Sequence, residues 1–517
     1  MHSRLSSRIL LSTFCIFILI SCSSPAVPTN PPALATETLS PTQTSAPLAT
    51  SDPGETPTPF PTLTPDLPHP KYVIDMQMDY TTKAATVNQT ITYPNWTGET
   101  LNNLVLAVEP NLWSGGFNLK SLAIDDQPIT NFTLENMSQK LDVPLPKPLE
   151  PSRTILITMT YGLILPQMQA YSNPNEVRPQ IYGYSDKQAN FVDWYPFVVP
   201  YQPSQGWLLH NPWFYGEHLV YDPADFDVSV TFTDGANPKV AASGEETGAS
   251  SNESTTATVT PQPKTSHHFV LEAGRTFALS MSDYFKVATQ TVGDIKVYAY
   301  YFGLYDVPGQ AMLQTTVEAL QTFSEKFGPY RHKTMTAVQG DFNDGMEYSG
   351  MYFISRDYFN LYKGDPVNYL ILISAHETAH QWWFDGVAND QAMEPWLDEA
   401  LATYSERIYY ETNHPDLVDS WRQYRYFEFQ KAGYVDTTIY DGGGQRPYWD
   451  KVYLTGARFL EDLRKKVGDD IFFSFLKDYY TQFEGKRATG ADFFRVLHQH
   501  TNADLTDLMT KYFQNTY

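Results

Sequence analysis

Cysteine is almost missing from this 517-residue chain: there are two, Cys15 and Cys22, and none beyond. Everything after residue 22 therefore folds without a disulfide, a thiol nucleophile or a cysteine-ligated metal. It must rely on a core, which a chain of this length can bury. Cations are scarce too. Lys and Arg number 35 against 58 Asp and Glu, a formal charge of −23. That balance argues against nucleic acid, whose phosphates demand Lys and Arg patches, and against folding onto an anionic membrane surface. The apolar run Ile9 to Ile20 is too short to span a bilayer, and residues 23–70 contain no Lys or Arg at all.

What is present begins with a leader. Residues 1–21 read as a signal peptide, with Arg4 and Arg8 ahead of the apolar run. Removing them takes the formal charge from −23 to −25. Leu19-Ile20-Ser21-Cys22 resembles a bacterial lipobox, in which Cys22 becomes the lipid-modified first residue; the plainer alternative is a secretory leader with an incidental cysteine. The lipobox implies an exported protein, lipid-anchored to the cell membrane and extracytoplasmic. Residues 22–70 then form a linker rich in Pro and Thr, as in Pro57-Thr58-Pro59-Phe60-Pro61-Thr62. Such a segment cannot bury a core and favours polyproline II, reaching roughly 150 Å at about 3.1 Å per residue.

Residues 71–288 alternate in short runs with turn signals between them, as in Leu104–Val108, Ile155–Met159 and Phe226–Val230, which predicts a β-rich sandwich domain. The aromatic stretches Asn190–Pro196 and Gln205–Trp207 read as sheet core more readily than as a substrate wall. Ser243 to Ser266 reads as an exposed polar loop. His267 and His268 are adjacent, so in a strand they point to opposite faces and cannot share a metal.

The chemistry lies further on. Asp365-Pro366 predicts a helix start, the run Tyr369–Ile373 continues it, and His376-Glu377-Thr378-Ala379-His380 follows. One turn apart on a helix, His376 and His380 present their imidazoles together and can share a Zn²⁺ at about 2.0–2.1 Å each. Glu377 flanks that ion rather than binding it, where a general base belongs. A second helix opening at Glu394-Pro395 brings Glu399 in as the third protein ligand, leaving a fourth position for water. The bulky Trp382-Trp383 pair would wall the site. The blander reading is a buried helix with two satisfied histidines; the helix start, the downstream carboxylate and the tryptophans speak against it.

With HETAHQWW followed after eighteen residues by the Glu of WLDEALATYSE, the chain resembles the M1 metallopeptidases of the gluzincin clan. Asp344-Gly345-Met346-Glu347-Tyr348 is similar to the family's GxMEN segment, and Tyr453-Leu454-Thr455-Gly456-Ala457 to its Tyr-x-Lys-Gly-Ala. Here Asp344, Tyr348 and Thr455 stand where the family has Gly, Asn and Lys. The resemblance spans residues 71–517. It implies one zinc per chain and an aminopeptidase acting on peptides. Glu347, beside Gly345 and Met346, would hold the substrate's free amine, and Tyr453 would steady the tetrahedral intermediate. It also implies an N-terminal β saddle over 71–288, a thermolysin-like α+β catalytic domain over 289–413 with Lys333–Val338 as an edge strand, and a helical part over 414–517. That last part is too short for a superhelical cap, so the site should be open. A thermolysin-style endopeptidase, with no need of Glu347, and a non-catalytic binding shell are the alternatives; a binding shell has no use for the base.

Overall fold

The computed structural model describes residues 69–135, 139–169, 180–203, 205–252, 264–426 and 433–517. The leader, Cys22 and nearly all of the Pro/Thr-rich segment lie outside the described residues. In the strand Lys71–Asp79 every second side chain, Tyr72, Ile74, Met76 and Met78, is buried. That period of two is what a sheet with one covered face requires. The strand pairs antiparallel with Ala84–Pro94 and parallel with Ala224–Phe232, at the middle of an eight-stranded sheet. Two four-stranded sheets and the short pair Tyr201–Gln202 with Gly206–Trp207 complete the β-rich domain, and Phe191, Trp194 and Tyr195 lie in its core.

The segment expected as a loop at 243–266 is instead strand at both ends. Glu245–Asn252 pairs antiparallel with Lys264–Gly274 at the edge of the large sheet. An edge pair with one face in water tolerates Ser, Thr and Glu, so hydropathy did not mark it. His267 meets Glu246 at 2.7 Å, and His268 meets Asp227 at 2.8 Å.

A second, five-stranded sheet carries the site. Its strands are β1 (Phe285–Val292), β2 (Ile295–Phe302), β3 (Thr334–Gln339), β4 (Met346–Tyr348) and β5 (Met351–Ile354), in the order β1-β2-β3-β5-β4. β1 runs through position 288, where the sequence pattern placed a boundary. β3, expected at the edge, is the middle strand, parallel to both β2 and β5 with all six residues buried. Its burial does not alternate because both faces of the strand are covered. The edge is β4, which holds Glu347. One face of the sheet, with Val338, Met346, Tyr348, Met351 and Phe353, packs into the β domain's core. The other, with Met335, Ala337, Tyr352 and Ile354, packs on helices. Period two therefore turns Glu347, opposite Tyr352 in the ladder, toward the helical side.

Those helices include α1 (Asp306–Lys326), the crossover between β2 and β3, then α2 (Tyr369–Ala379) and α3 (Trp396–Asn413). Beyond them the chain is mostly helical, with Gly456–Val467, Asp469–Phe483 and Gly490–His500 the longer pieces. No helix among the described residues is long and apolar enough to cross a membrane.

Candidate active site

α2 is buried on nearly every side, as its unbroken apolar run requires. Its cap is Asn368, three residues past the expected start: the Asn368 side chain accepts from the backbone N–H of Leu370 at 2.8 Å and of Ile371 at 3.2 Å. Asp365 instead closes a turn by accepting from Val367 N at 2.9 Å. The helix ends at His380, and Gln381–Gly386 continues as a wider turn. In that turn Gln381 accepts from Gly350 N at 2.8 Å and donates to Tyr348 O at 3.0 Å. One amide thus fixes the Glu347 strand against the histidine helix. Trp382 and Trp383 are fully buried; Trp382 packs on Phe323 and Phe327 behind the site. Phe384, not the expected tryptophans, faces the adjoining cavity.

His376, His380 and Glu399 converge. His376 Nε2 lies 3.2 Å from His380 Nε2 and 3.3 Å from Glu399 Oε2, and His380 Nε2 lies 3.5 Å from the same oxygen. Donors about 2.0–2.1 Å from one tetrahedral ion stand roughly 3.3–3.4 Å from one another, so the triangle has the size zinc needs. The ring hydrogens agree. His380 Nδ1 is 3.1 Å from Trp383 O, which can only accept, and His376 Nδ1 is 3.1 Å from the Glu406 carboxylate. Both Nδ1 atoms therefore carry the proton, and both Nε2 lone pairs point at the common centre. Two bare lone pairs and a carboxylate, each 1–4% exposed, need a cation between them. Glu347, Glu377 and His380 form a second close group, in which His380 Nδ1, 3.9 Å from Glu347, is the nitrogen already facing Trp383 O.

Glu377 is buried beside this triangle, and its Oε2 has no hydrogen-bond partner among the described residues. Burial pushes its carboxyl well above the usual range; the charge of Glu347 adds to this and that of His380 opposes it. Gly345 makes room for it: a Cβ there would stand 2.3 Å from Glu377 Oε1 and 2.8 Å from Ile373 Cγ2. Only glycine leaves room for that carboxylate. Met346 lines the cavity next to the site. Glu347 is 3% exposed, 3.4 Å from Gln391 Nε2 and 3.9 Å from His380 Nδ1.

Tyr453 comes from a wide turn, Asp450–Thr455, ahead of the helix Gly456–Val467. Its hydroxyl donates to Glu399 Oε1 at 2.5 Å, and its ring lies parallel to that of His376 at 6.0 Å. Burial first, then the charge of Glu399, push the phenol well above its usual value, so it keeps its proton. A Cβ at Gly456 would stand 2.4 Å from Ala400 Cβ, so this glycine lets the Tyr453 segment press against α3.

Sequence reasoning missed Gln381, Gln391 and Glu406. Glu406 had a signal: it lies seven residues after Glu399, two turns along the same face of α3. It is fully buried, takes Arg425 through two bonds of 2.9 and 2.6 Å, and holds His376.

Residues 311–512 match the peptidase family M1 domain. Aminopeptidase N of Lactobacillus helveticus is 29% identical over 148 residues, 26% of this chain and 17% of that protein. Aminopeptidase 2 of Candida albicans is 23% identical over 236 residues, 41% of this chain and 25% of that protein. The alignments thus span a quarter or less of these relatives' length. Among solved structures, the M1 zinc metallopeptidase of Deinococcus radiodurans shares the fold at a TM-score of 0.61 and 18% identity, over 86% of this chain and 93% of that one. A mutant of it bound to a Tyr-Ser-Ala substrate matches at a TM-score of 0.62 and 18% identity, over 87% and 95%.

Proposed function

We propose that this chain, whose residues 311–512 match the peptidase family M1 domain, is a zinc aminopeptidase that hydrolyses the N-terminal bond of peptides. One observation carries the reading: His376, His380 and Glu399 aim three donors at one point, with two buried carboxylates beside them, Glu377 and Glu347. The relatives named aminopeptidase and the substrate-bound neighbour support it.

One zinc per chain would be held by His376, His380 and Glu399. When bound, it supplies a Lewis acid that acidifies water and polarises a carbonyl. The protein's own groups do the rest. Glu377 takes the proton of the attacking water and returns it to the leaving amine. Tyr453, with its proton retained beside Glu399, donates to the oxyanion as it forms. Glu347 meets the substrate's ammonium, which a low-dielectric cleft would otherwise reject, and so sets the cut one residue from the amino end.

Free and N-acetylated aminoacyl reporters, assayed with and without chelator, test this. Cleavage of the free-amine series alone, abolished by chelator and restored by zinc, is expected. Equal cleavage of both series would leave a zinc endopeptidase and remove the aminopeptidase.

The leader and Cys22 support an exported enzyme, anchored to the cell membrane by lipid on Cys22 and held off it by residues 23–70. One acyl chain binds only marginally, so stable anchoring needs several on that residue. Wild type in the detergent phase and Cys22→Ser in the aqueous phase or uncleaved is expected on partitioning. Wild type wholly in the aqueous phase would end the lipid reading.

A further inference from the structure

Beside Glu347 opens a cavity of about 300 Å³ that the hydrolysis itself does not use. Its size suits one long side chain. Trp113, Tyr182 and Phe384 give it aromatic walls, and Glu109, Asp193 and Glu217 add carboxylates. Among the described residues lining it, none is Lys or Arg. If Glu347 holds the substrate's amine, as the aminopeptidase reading requires, the first residue's side chain has this cavity to enter.

The three carboxylates are not equivalent. Glu109 accepts from Gln139 at 2.6 Å and lies 3.4 Å from His218, and Asp193 accepts from the Tyr221 hydroxyl at 2.7 Å. Glu217 is half-buried and lines the same cavity as Glu347. An aliphatic side chain entering here would strip water from carboxylates and give nothing back, and an acidic one would be repelled. A guanidinium or ammonium head meets the charge, while its stem and face lie on the aromatic walls.

We propose that this cavity selects a basic N-terminal residue, arginine or lysine, with Glu217 as the selecting carboxylate.

The test compares kcat/KM for arginyl, lysyl, leucyl and glutamyl reporters in the zinc-loaded full chain. Arg and Lys should lead Leu, and Glu should come last. In Glu217→Gln the Arg-to-Leu ratio should fall roughly ten- to hundred-fold, the range for loss of a charge-assisted bond. Glu217→Lys should move the order toward Glu. A ratio cancels the fraction of folded enzyme, so a poorly folding variant still reports. Leucyl turnover equal to or above arginyl in wild type, or an Arg-to-Leu ratio that neither variant moves, would overturn the proposal alone. Cleavage of acetylated peptides with no turnover of any free-amine reporter would overturn it together with the aminopeptidase reading.

Discussion

Glu377 is placed by what is missing next to it. With a methyl 2.3 Å from its Oε1 in Gly345→Ala, the carboxylate must shift, and a displacement near 1 Å costs on the order of 10²-fold in a positioned catalytic group. Since Glu377 is not a ligand, we expect Gly345→Ala to lose about that much kcat while binding zinc normally and unfolding within a few degrees of wild type. Elemental analysis beside steady-state kinetics checks both halves, and a variant with normal kcat would show the space to be idle. The same logic separates base from ligand. Glu377→Gln should keep its zinc and be nearly inactive, whereas His380→Ala should lose the metal; zinc missing from Glu377→Gln would make that residue a ligand after all. Tyr453→Phe should lower kcat roughly 10²–10³-fold with KM little changed, as for a donor engaged in the transition state. At this scale the sequence was most readable where one helix does the geometry. His376, Glu377 and His380 follow from 3.6 residues per turn. Gly345 does not, because a glycine's necessity here lies in an atom thirty-two residues away in the chain.

α3 carries more than its one ligand. Glu399 and Glu406 share a face, and Glu406 reaches the Nδ1 of His376, Arg425 and the Trp421 ring nitrogen together. Burial pushes the Glu406 carboxyl up, but Arg425 and His376 outweigh that and hold it below the usual range. It therefore stays charged and keeps the His376 proton on Nδ1. In Glu406→Gln the amide can turn its NH₂ toward the ring, and the tautomer is no longer fixed. We expect zinc affinity to drop roughly 10–100-fold, the usual cost of an orienting partner. Competition against a chromogenic chelator measures it, and unchanged affinity would leave Glu406 as no more than an anchor for Arg425. Elements were legible in kind and less so in their ends and places. The histidine helix starts at Asn368 rather than Asp365 because two residues of similar capping strength lie three apart, and the packing of Tyr369 onward decides between them. β3 passed for an edge strand because position in a sheet is a tertiary property that its own residues do not record.

Across the whole molecule, the five-stranded sheet belongs to two cores at once, and Arg275 ties the parts around it. From the end of the Lys264–Gly274 strand it donates to the carbonyls of Tyr221, Asp385, Gly386 and Lys486. The β domain, the turn after the histidine helix and the C-terminal helices are joined by that one side chain. A second tie sits just ahead of α3. Glu394 accepts from Gly490 N at 2.9 Å, at the start of the helix Gly490–His500. Burial pushes its carboxyl from the usual 4.5 up to about 7, the backbone bond from Gly490 opposes this, and Asp390, Asp492 and Asp436 add to it. The folded chain thus holds this proton more tightly than the unfolded chain does. Its stabilising contribution is complete below about pH 4.5 and is lost as pH rises through about 7. Asp385, held below the usual range despite burial by His332 and Arg331, acts in the opposite sense and weakens the fold toward acid. A single melting curve therefore mixes the two, and the difference between wild type and Glu394→Gln separates them. The variant, neutral at every pH, should lack the fall in Tm that wild type shows between pH 4.5 and 7, so the gap should shift in the variant's favour across that window. A gap that stays constant would mean that Glu394 ionises in the fold as it does in water, the Gly490 bond cancelling burial and the three neighbouring carboxylates together.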